Sequence, residues 1–297
     1  MRLGSRYLRM RRPSSHDTAW TNPSSDDIIP ATGRRSGCRA IHAARSQMNS
    51  PPLDLSIVIP AYNEEGRLPK TLDSIFAYLQ ARPYRAEIIV VDDGSSDRTS
   101  EIVSACQQEH PGLRLVSNGG NRGKGFSVRH GMLEARGEIA LFTDADLSTP
   151  IEEADKLLAA LREQECDAAI GSRAMNRSLI EVHQSLIREQ AGIFFNRLVR
   201  WIMRIEFSDT QCGFKAFRRE RTRIIFEQQR VERFGFDPEI LFLAKRNGLR
   251  VAEVPVRWSH DSATKVNVAA DGIRMFLELL WIRWNVVQGC YPRARPI

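Results

Sequence analysis

Three short acidic clusters are the residues in this chain whose types and spacing suit chemistry. They are Tyr62-Asn63-Glu64-Glu65, Asp92-Asp93-Gly94-Ser95-Ser96-Asp97 and Asp144-Ala145-Asp146, and each follows a β-branched apolar run. Carboxylates on a strand-end turn are hard oxygen ligands, suited to a divalent cation that keeps other positions for water and diphosphate oxygens. Bare carboxylates would repel the phosphates of a nucleotide, so a cation must mediate, and Asp144 and Asp146 are the candidate ligands. Any one cluster is explained as well by turn decoration and helix capping, and a lone Asp-x-Asp arises often by chance. Three clusters on one sheet edge are much harder to explain that way.

The elements that must position them alternate along the chain. Leu55–Pro60, Glu87–Val91, Leu113–Ser117, Ile139–Thr143 and Ala168–Gly171 read as short buried strands. Between them fall helical patterns. The first carries Leu68, Leu72, Ile75, Phe76 and Leu79 on one face, with Asn63 as its expected cap; others run to about Gln108, over Lys124–Ala135 with Gly137 closing it, and to about Arg162. Thr149-Pro150-Ile151-Glu152 reads as a capping box with proline in the first turn. Strands and helices at this spacing predict a mostly parallel, doubly wound α/β sheet, whose ligands lie beyond the carboxyl ends of the strands. The second half is less regular: helical patterns over 183–204, Asp237–Gly248 and Asp271–Gln288, and a strand-like alternation over Leu249–Trp258. The organisation expected is a tail over 1–50, one domain over 51–270 and a C-terminal amphipathic helix and tail over 271–297.

Composition narrows the classes. The chain has 297 residues, 42% hydrophobic and 27% charged, which is ordinary for a globular protein. No stretch approaches the ~18 apolar residues of a membrane span. Five scattered cysteines without a Cys-x-x-Cys pair read as reduced thiols of a cytoplasmic protein, and Cys212 as a packed apolar residue. The net charge of +7 comes almost wholly from residues 1–47, where nine Arg stand against three Asp; residues 48–297 hold 34 basic and 33 acidic side chains. Nucleic acid is therefore not an expected partner. The Arg- and Ser-rich start reads as a disordered tail or an organelle-targeting segment, with Met48 as an alternative start.

A resemblance then becomes visible. The strings VIPAYNEE (58–65), VVDDGSSD (90–97), NRGKGFSVRHGM (121–132), DADLSTP (144–150), GSR (171–173), DTQCGFKAF (209–217), GFDPEILFLAKRNG (235–248) and WSHDSATKV (258–266) occur in order. Together they resemble family 2 glycosyltransferases of the GT-A fold, and most the polyprenyl-phosphate sugar synthases of the dolichyl-phosphate β-glucosyl and mannosyl group.

The resemblance implies roles for individual positions. Pro60, Tyr62 and Glu64 would line the base and ribose, Asp92 and Asp93 would bind uracil and ribose, and Lys124 would lie near the diphosphate. Asp144 and Asp146 would anchor Mg2+ or Mn2+; the position two residues beyond Asp146 is Ser148, which leaves a two-carboxylate site. Asp209 and Gln211 would face the sugar or the acceptor phosphate, and Lys265 would close over the donor on a loop. Arg173 and Arg188 are the candidate clamps for the acceptor phosphate. The implied reaction moves glucose from UDP-glucose to a polyprenyl phosphate, dolichyl or undecaprenyl, with inversion. Alternatives are GDP-mannose as donor, a saccharide hydroxyl as acceptor with Asp237 as base, or binding of a nucleotide sugar without turnover. Asp237 before Pro238 also reads as a simple helix cap.

A membrane surface is the other expected partner, reached peripherally from the cytoplasmic face. In helix 183–204, Arg197, Arg200 and Arg204 accompany Phe194, Phe195, Leu198, Trp201 and Ile202. In 271–288, Arg274 and Arg283 accompany Phe276, Leu277, Leu280, Trp281, Ile282 and Trp284. Such helices either lie in the lipid interface or pack on the sheet with their Arg in water.

Overall fold

The apolar run at 55–61 becomes a central strand because both of its faces are covered. Leu55, Ile57 and Ile59 point into one hydrophobic core and Val58 into another. The computed structural model describes residues 52–182, 186–259 and 268–292, and their side chains except at 181–189 and 268–271. The first half runs β1 (Leu55–Ala61), α1 (Leu68–Gln80), β2 (Ala86–Asp92), α2 (Thr99–Glu109), β3 (Leu113–Ser117), α3 (Lys124–Glu134) and β4 (Ile139–Thr143). The second runs α4 (Ala154–Glu163), β5 (Ala168–Ser172), β6 (Ile180–Val182), α5 (Leu186–Met203), β7 (Phe214–Arg218), α6 (Arg219–Gln228), α7 (Phe236–Arg246), β8 (Val251–Pro255), β9 (Trp258–Ser259) and α8 (Val268–Val287).

The main sheet has the order β3-β2-β1-β4-β7-β5-β8, and β6 pairs with β9 in a small separate ladder. Every neighbour in the main sheet is parallel except β7, which runs antiparallel to both β4 and β5. One core lies under α1, α2 and α4 and the other under α3 and α5–α8, so the sheet is a middle layer between helices. The chain winds outward from β1 to β3 and then crosses to β4, which opens a crevice at the carboxyl ends of β1 and β4.

Local chemistry departs from expectation at three starts. Asn63 does not cap α1, which begins at Arg67 without a side-chain cap. Asn63 adopts a left-handed φ of 55°, and its side chain instead accepts the Ser96 N–H at 2.8 Å, tying two of the acidic loops together. Thr149 makes no capping box: a 3-10 turn at Ile151–Glu153 precedes α4 with no side-chain cap, and the Thr149 hydroxyl lies 3.9 Å from Cys212 Sγ. Asp237 is not a cap either, because α7 starts at Gly235, whose N–H donates to Glu278 of α8 at 2.8 Å.

Candidate active site

Three parallel strands deliver the acidic loops to one edge, and the antiparallel β7 completes it from the opposite direction. Thr143 pairs with Phe214, so the next positions, Asp144 and Gly213, face each other beyond the ladder. The approach is so close that a Cβ on residue 213 would stand 2.2 Å from Asp144 Oδ2. With glycine at 213 the Asp144 carboxylate can stand where it does; any larger residue would have to displace it.

Lys124, at the start of α3, extends across this edge to Asp144, its Nζ 2.5 Å from Oδ1. The contact is an ion pair without the alignment of a hydrogen bond, so Oδ1 has charge beside it but no well-directed donor. Burial opposes the ammonium, yet the carboxylates of Asp144, Asp237 and Asp146 outweigh it and hold the Lys124 pKa above its ordinary value. Asp146 accepts the Ser148 N–H at 2.9 Å. Burial, and then the neighbouring Asp144 charge, raise its pKa. The edge thus concentrates negative charge that Lys124 only partly offsets.

This arrangement fits a divalent cation. Asp144 and Asp146 supply hard oxygens, Asp144 Oδ1 lacks a directed donor, and Gly213 leaves no side chain in the way. Among the described residues no group of three or more His, Cys, Asp or Glu side chains is arranged to hold a metal. Two carboxylates would therefore be completed by water and phosphate oxygens, as the Ser148 position suggested.

The other expected residues fall into two sets. Asp92 and Asp93 are buried and already hold loops: Asp92 accepts from Ser95 N and Ser100 Oγ, and Asp93 from Asn118 Nδ2, Arg122 N and Gly123 N. Glu64 makes a two-pronged pair with Arg67. Pro60 lies at the end of β1 and Tyr62 just follows it at the same edge, the tyrosine 40% exposed.

Arg173 and Asp209 form the second set. Arg173 is not the free clamp that the sequence suggested, because its Nε and Nη2 grip the two Asp209 oxygens at 2.7 and 2.9 Å. Burial opposes ionisation of Asp209, but Arg173 overrides it and draws the pKa down to about 2. Gln211 donates its N–H to Asp209 Oδ1 at 3.0 Å, while its enclosed Nε2 has no hydrogen-bond partner among the described residues. An unmet buried donor at this edge is a group awaiting an acceptor. The Arg188 side chain and all of Lys265 lie outside the described residues.

Sequence reasoning missed the floor of the site. Lys215, on β7, is fully buried; its Nζ donates to the Cys212 carbonyl at 2.5 Å and pairs with Asp237. The available signal was the lysine in Phe-Lys-Ala-Phe, which breaks an apolar strand. Burial raises the Asp237 pKa, with Lys215 and Lys124 opposing. Cys212 is buried as expected, and burial pushes its thiol up to about 11, far from a nucleophile at neutral pH.

Glu239, one turn into α7, is wholly buried and accepts from Arg230 N, Val231 N and Tyr291 Oη. Burial still lifts its pKa from 4.5 to about 6. The folded state therefore binds this proton more tightly than the unfolded chain. This group's contribution to stability is complete below pH 4.5 and is lost as pH rises to 6, by about 2 kcal/mol. Glu239→Gln is expected to flatten that window; denaturant midpoints of both proteins between pH 4.5 and 7 check it, and parallel profiles would refute it.

Residues 56–225 match Glycosyl transferase family 2, more than half of the chain. The dolichyl-phosphate beta-glucosyltransferase of Drosophila melanogaster is 38% identical over 253 residues, covering 80% of this chain and 77% of that one. The protein of the same name from Saccharomyces cerevisiae is 34% identical over 270 residues, 85% and 81% of the two chains. Among solved structures, glucosyl-3-phosphoglycerate synthase from Mycobacterium tuberculosis, in complex with Mn2+, UDP-glucose and phosphoglyceric acid, superimposes with a TM-score of 0.57 at 18% identity. It covers 88% of this chain and 86% of that one, a likeness of fold. The GT-A-like sheet, the domain match and the relatives agree: this chain belongs to glycosyl transferase family 2 and is a hexosyltransferase.

Proposed function

We propose that the protein transfers glucose from UDP-glucose to a polyprenyl phosphate at a membrane surface, with inversion at the anomeric carbon and dependence on Mg2+ or Mn2+. The observation that carries this reading is the convergence of Asp144, Asp146, Lys124 and the unmet Gln211 amide on one sheet edge. The names of the relatives support glucose as the sugar and a dolichyl-type phosphate as acceptor. No helix among the described residues is long and apolar enough to cross a membrane, so a peripheral position on the cytoplasmic face is part of the proposal.

Asp144 and Asp146 would hold the cation, which when bound supplies Lewis-acid neutralisation of the leaving diphosphate. Lys124 adds a fixed positive charge beside the same oxygens, already in place before the reaction. The attacking phosphate monoester has a second pKa of about 6 by analogy with phosphorylated side chains, so it is ionised at neutral pH without a base. That agrees with Asp237, which is buried against Lys215 and poorly placed to accept a proton from an incoming hydroxyl. The buried Gln211 amide would donate to a sugar oxygen, and the Arg173–Asp209 pair, which accepts the Gln211 N–H through Asp209, would hold that segment in place.

Labelled UDP-glucose, polyprenyl phosphate, Mg2+ and the full chain test this, with GDP-mannose in parallel. Label is expected in organic-extractable lipid only with metal, and Asp146→Ala is expected to lower the rate at least ~100-fold. Label on soluble saccharides instead, or equal transfer by the variant, would overturn the reading.

A further inference from the structure

Helices α5 and α8 are apolar on two sides. Inward, Val199, Met203, Leu279 and Ile282 are at most 1% exposed in the core beneath the sheet. Outward, Trp201 is 79% and Trp284 62% exposed, and Leu277, Leu280 and Trp281 continue the stripe along α8. A helix that is apolar all round is ordinarily buried, and an exposed apolar patch of this kind marks a contact surface.

Charge identifies what covers it. Elsewhere the guanidinium groups are largely answered, as in Arg82 with Asp155, Arg114 with Glu87 and Arg257 with Glu153. Arg197, Arg200 and Arg204 of this face, and Arg283 across from them, have no carboxylate partner among the described residues. Arg204 and Arg283 flank a groove of about 300 Å³ between the helices, also lined by Trp201, Ile202 and Leu280. Arg204 holds a left-handed φ of 54° just past the end of α5, a position that ordinarily takes glycine or asparagine. Its carbonyl accepts from Lys245 Nζ at 2.9 Å, which fixes that turn.

The groove is separate from the transfer edge. Lys245 lies near the carboxyl end of α7 and Asp237 near its start, about 12 Å apart along the helix axis. We propose that this groove binds the phosphate headgroup of an anionic membrane phospholipid, Arg204 and Arg283 holding the phosphate while Trp201 and Leu280 meet the upper acyl chains. Planar guanidinium groups suit phosphate oxygens, and indole rings suit the interfacial zone of a bilayer. The inference deepens the membrane-surface part of the reading above and is independent of which sugar is moved.

The test is sedimentation of the full chain with vesicles that contain no polyprenyl phosphate. Phosphatidylcholine alone is compared with a mixture containing about a third phosphatidylserine. The wild type is expected to favour the mixed vesicles, and R204Q/R283Q to lose about tenfold or more of that partition. R197Q/R200Q, outside the groove, is expected to lose much less. Equal loss in both pairs would mean diffuse attraction, and competition by millimolar inorganic phosphate would mean a free-anion site; either overturns the proposal, as does a wild type that ignores the mixed vesicles. Transfer to detergent-dispersed acceptor by R204Q/R283Q is expected at the wild-type rate, which reports that the variant is folded. Should the wild type transfer nothing, the enzymatic reading falls while the vesicle result stands on its own.

Discussion

Lys215→Met is expected to lower the unfolding free energy by about 3–5 kcal/mol, because it leaves the buried Asp237 without its main counter-charge. The methionine fills similar volume beside Phe142, whose ring now lies 5.3 Å from the Lys215 ammonium, so packing alone does not account for a loss of that size. Asp237 already has a raised pKa from burial, held in check chiefly by Lys215. With the lysine gone its pKa should rise further, and the deficit against wild type should shrink as pH is lowered and the carboxyl takes up a proton. Lys215→Met combined with Asp237→Leu should cost far less than the two single changes added together. Denaturant unfolding of the three variants at two pH values measures all of this; additive losses would show that the pair is not coupled.

Gly213→Ala is expected to do the reverse, sparing the fold and damaging the reaction. Nothing in the backbone forbids alanine, but its Cβ would stand 2.2 Å from Asp144 Oδ2 and 2.6 Å from Cγ. The carboxylate is the movable partner, so it turns away from Lys124 and from its place beside Asp146. A misplacement of about 1 Å at a reacting centre costs roughly a hundredfold. Stability should stay level or rise by some tenths of a kcal/mol, since alanine has less chain entropy to lose. Transfer rate and denaturant midpoint, measured on one preparation, separate the two effects. An unchanged rate would show that the Asp144 carboxylate is not needed where it stands.

Much of this was legible from residue types. The β-branched runs at 55, 87, 113 and 139 became strands because a doubly covered sheet needs continuous apolar segments. The acidic loops were legible because parallel strands all end on one edge. What was not legible depended on contacts between distant segments. Phe214–Arg218 does not read as a strand, since a lysine occupies the position where alternation asks for a core residue, and its partner Asp237 is supplied by another element. Half of Arg219–Gln228 is charged, so its helix has a weak apolar pattern, although Ile225 and Phe226 are buried. Arg173 looked like an open clamp because sequence shows a charge but not the Asp209 that faces it. Asn63, Thr149 and Asp237 each matched a helix-capping rule and were drawn instead into contacts with distant segments, Thr149 and Asp237 in buried positions and Asn63 across the acidic loops.

The reversed direction of β7 has a consequence for the order in which the protein is made. Strands β1 to β4 find all their parallel partners among one another, so their pairing draws on no residue after 143. Strands β5 and β8 join that half only through β7, which is inserted between β4 and β5. Residue 213, and the lysine beneath it, emerge long after Asp144 and must return to it as a late, non-local event. A growing chain can therefore own a nearly finished nucleotide-side sheet and still lack a floor under its acidic pair. The floor of the site thus depends on one strand that pairs against the direction of all its neighbours.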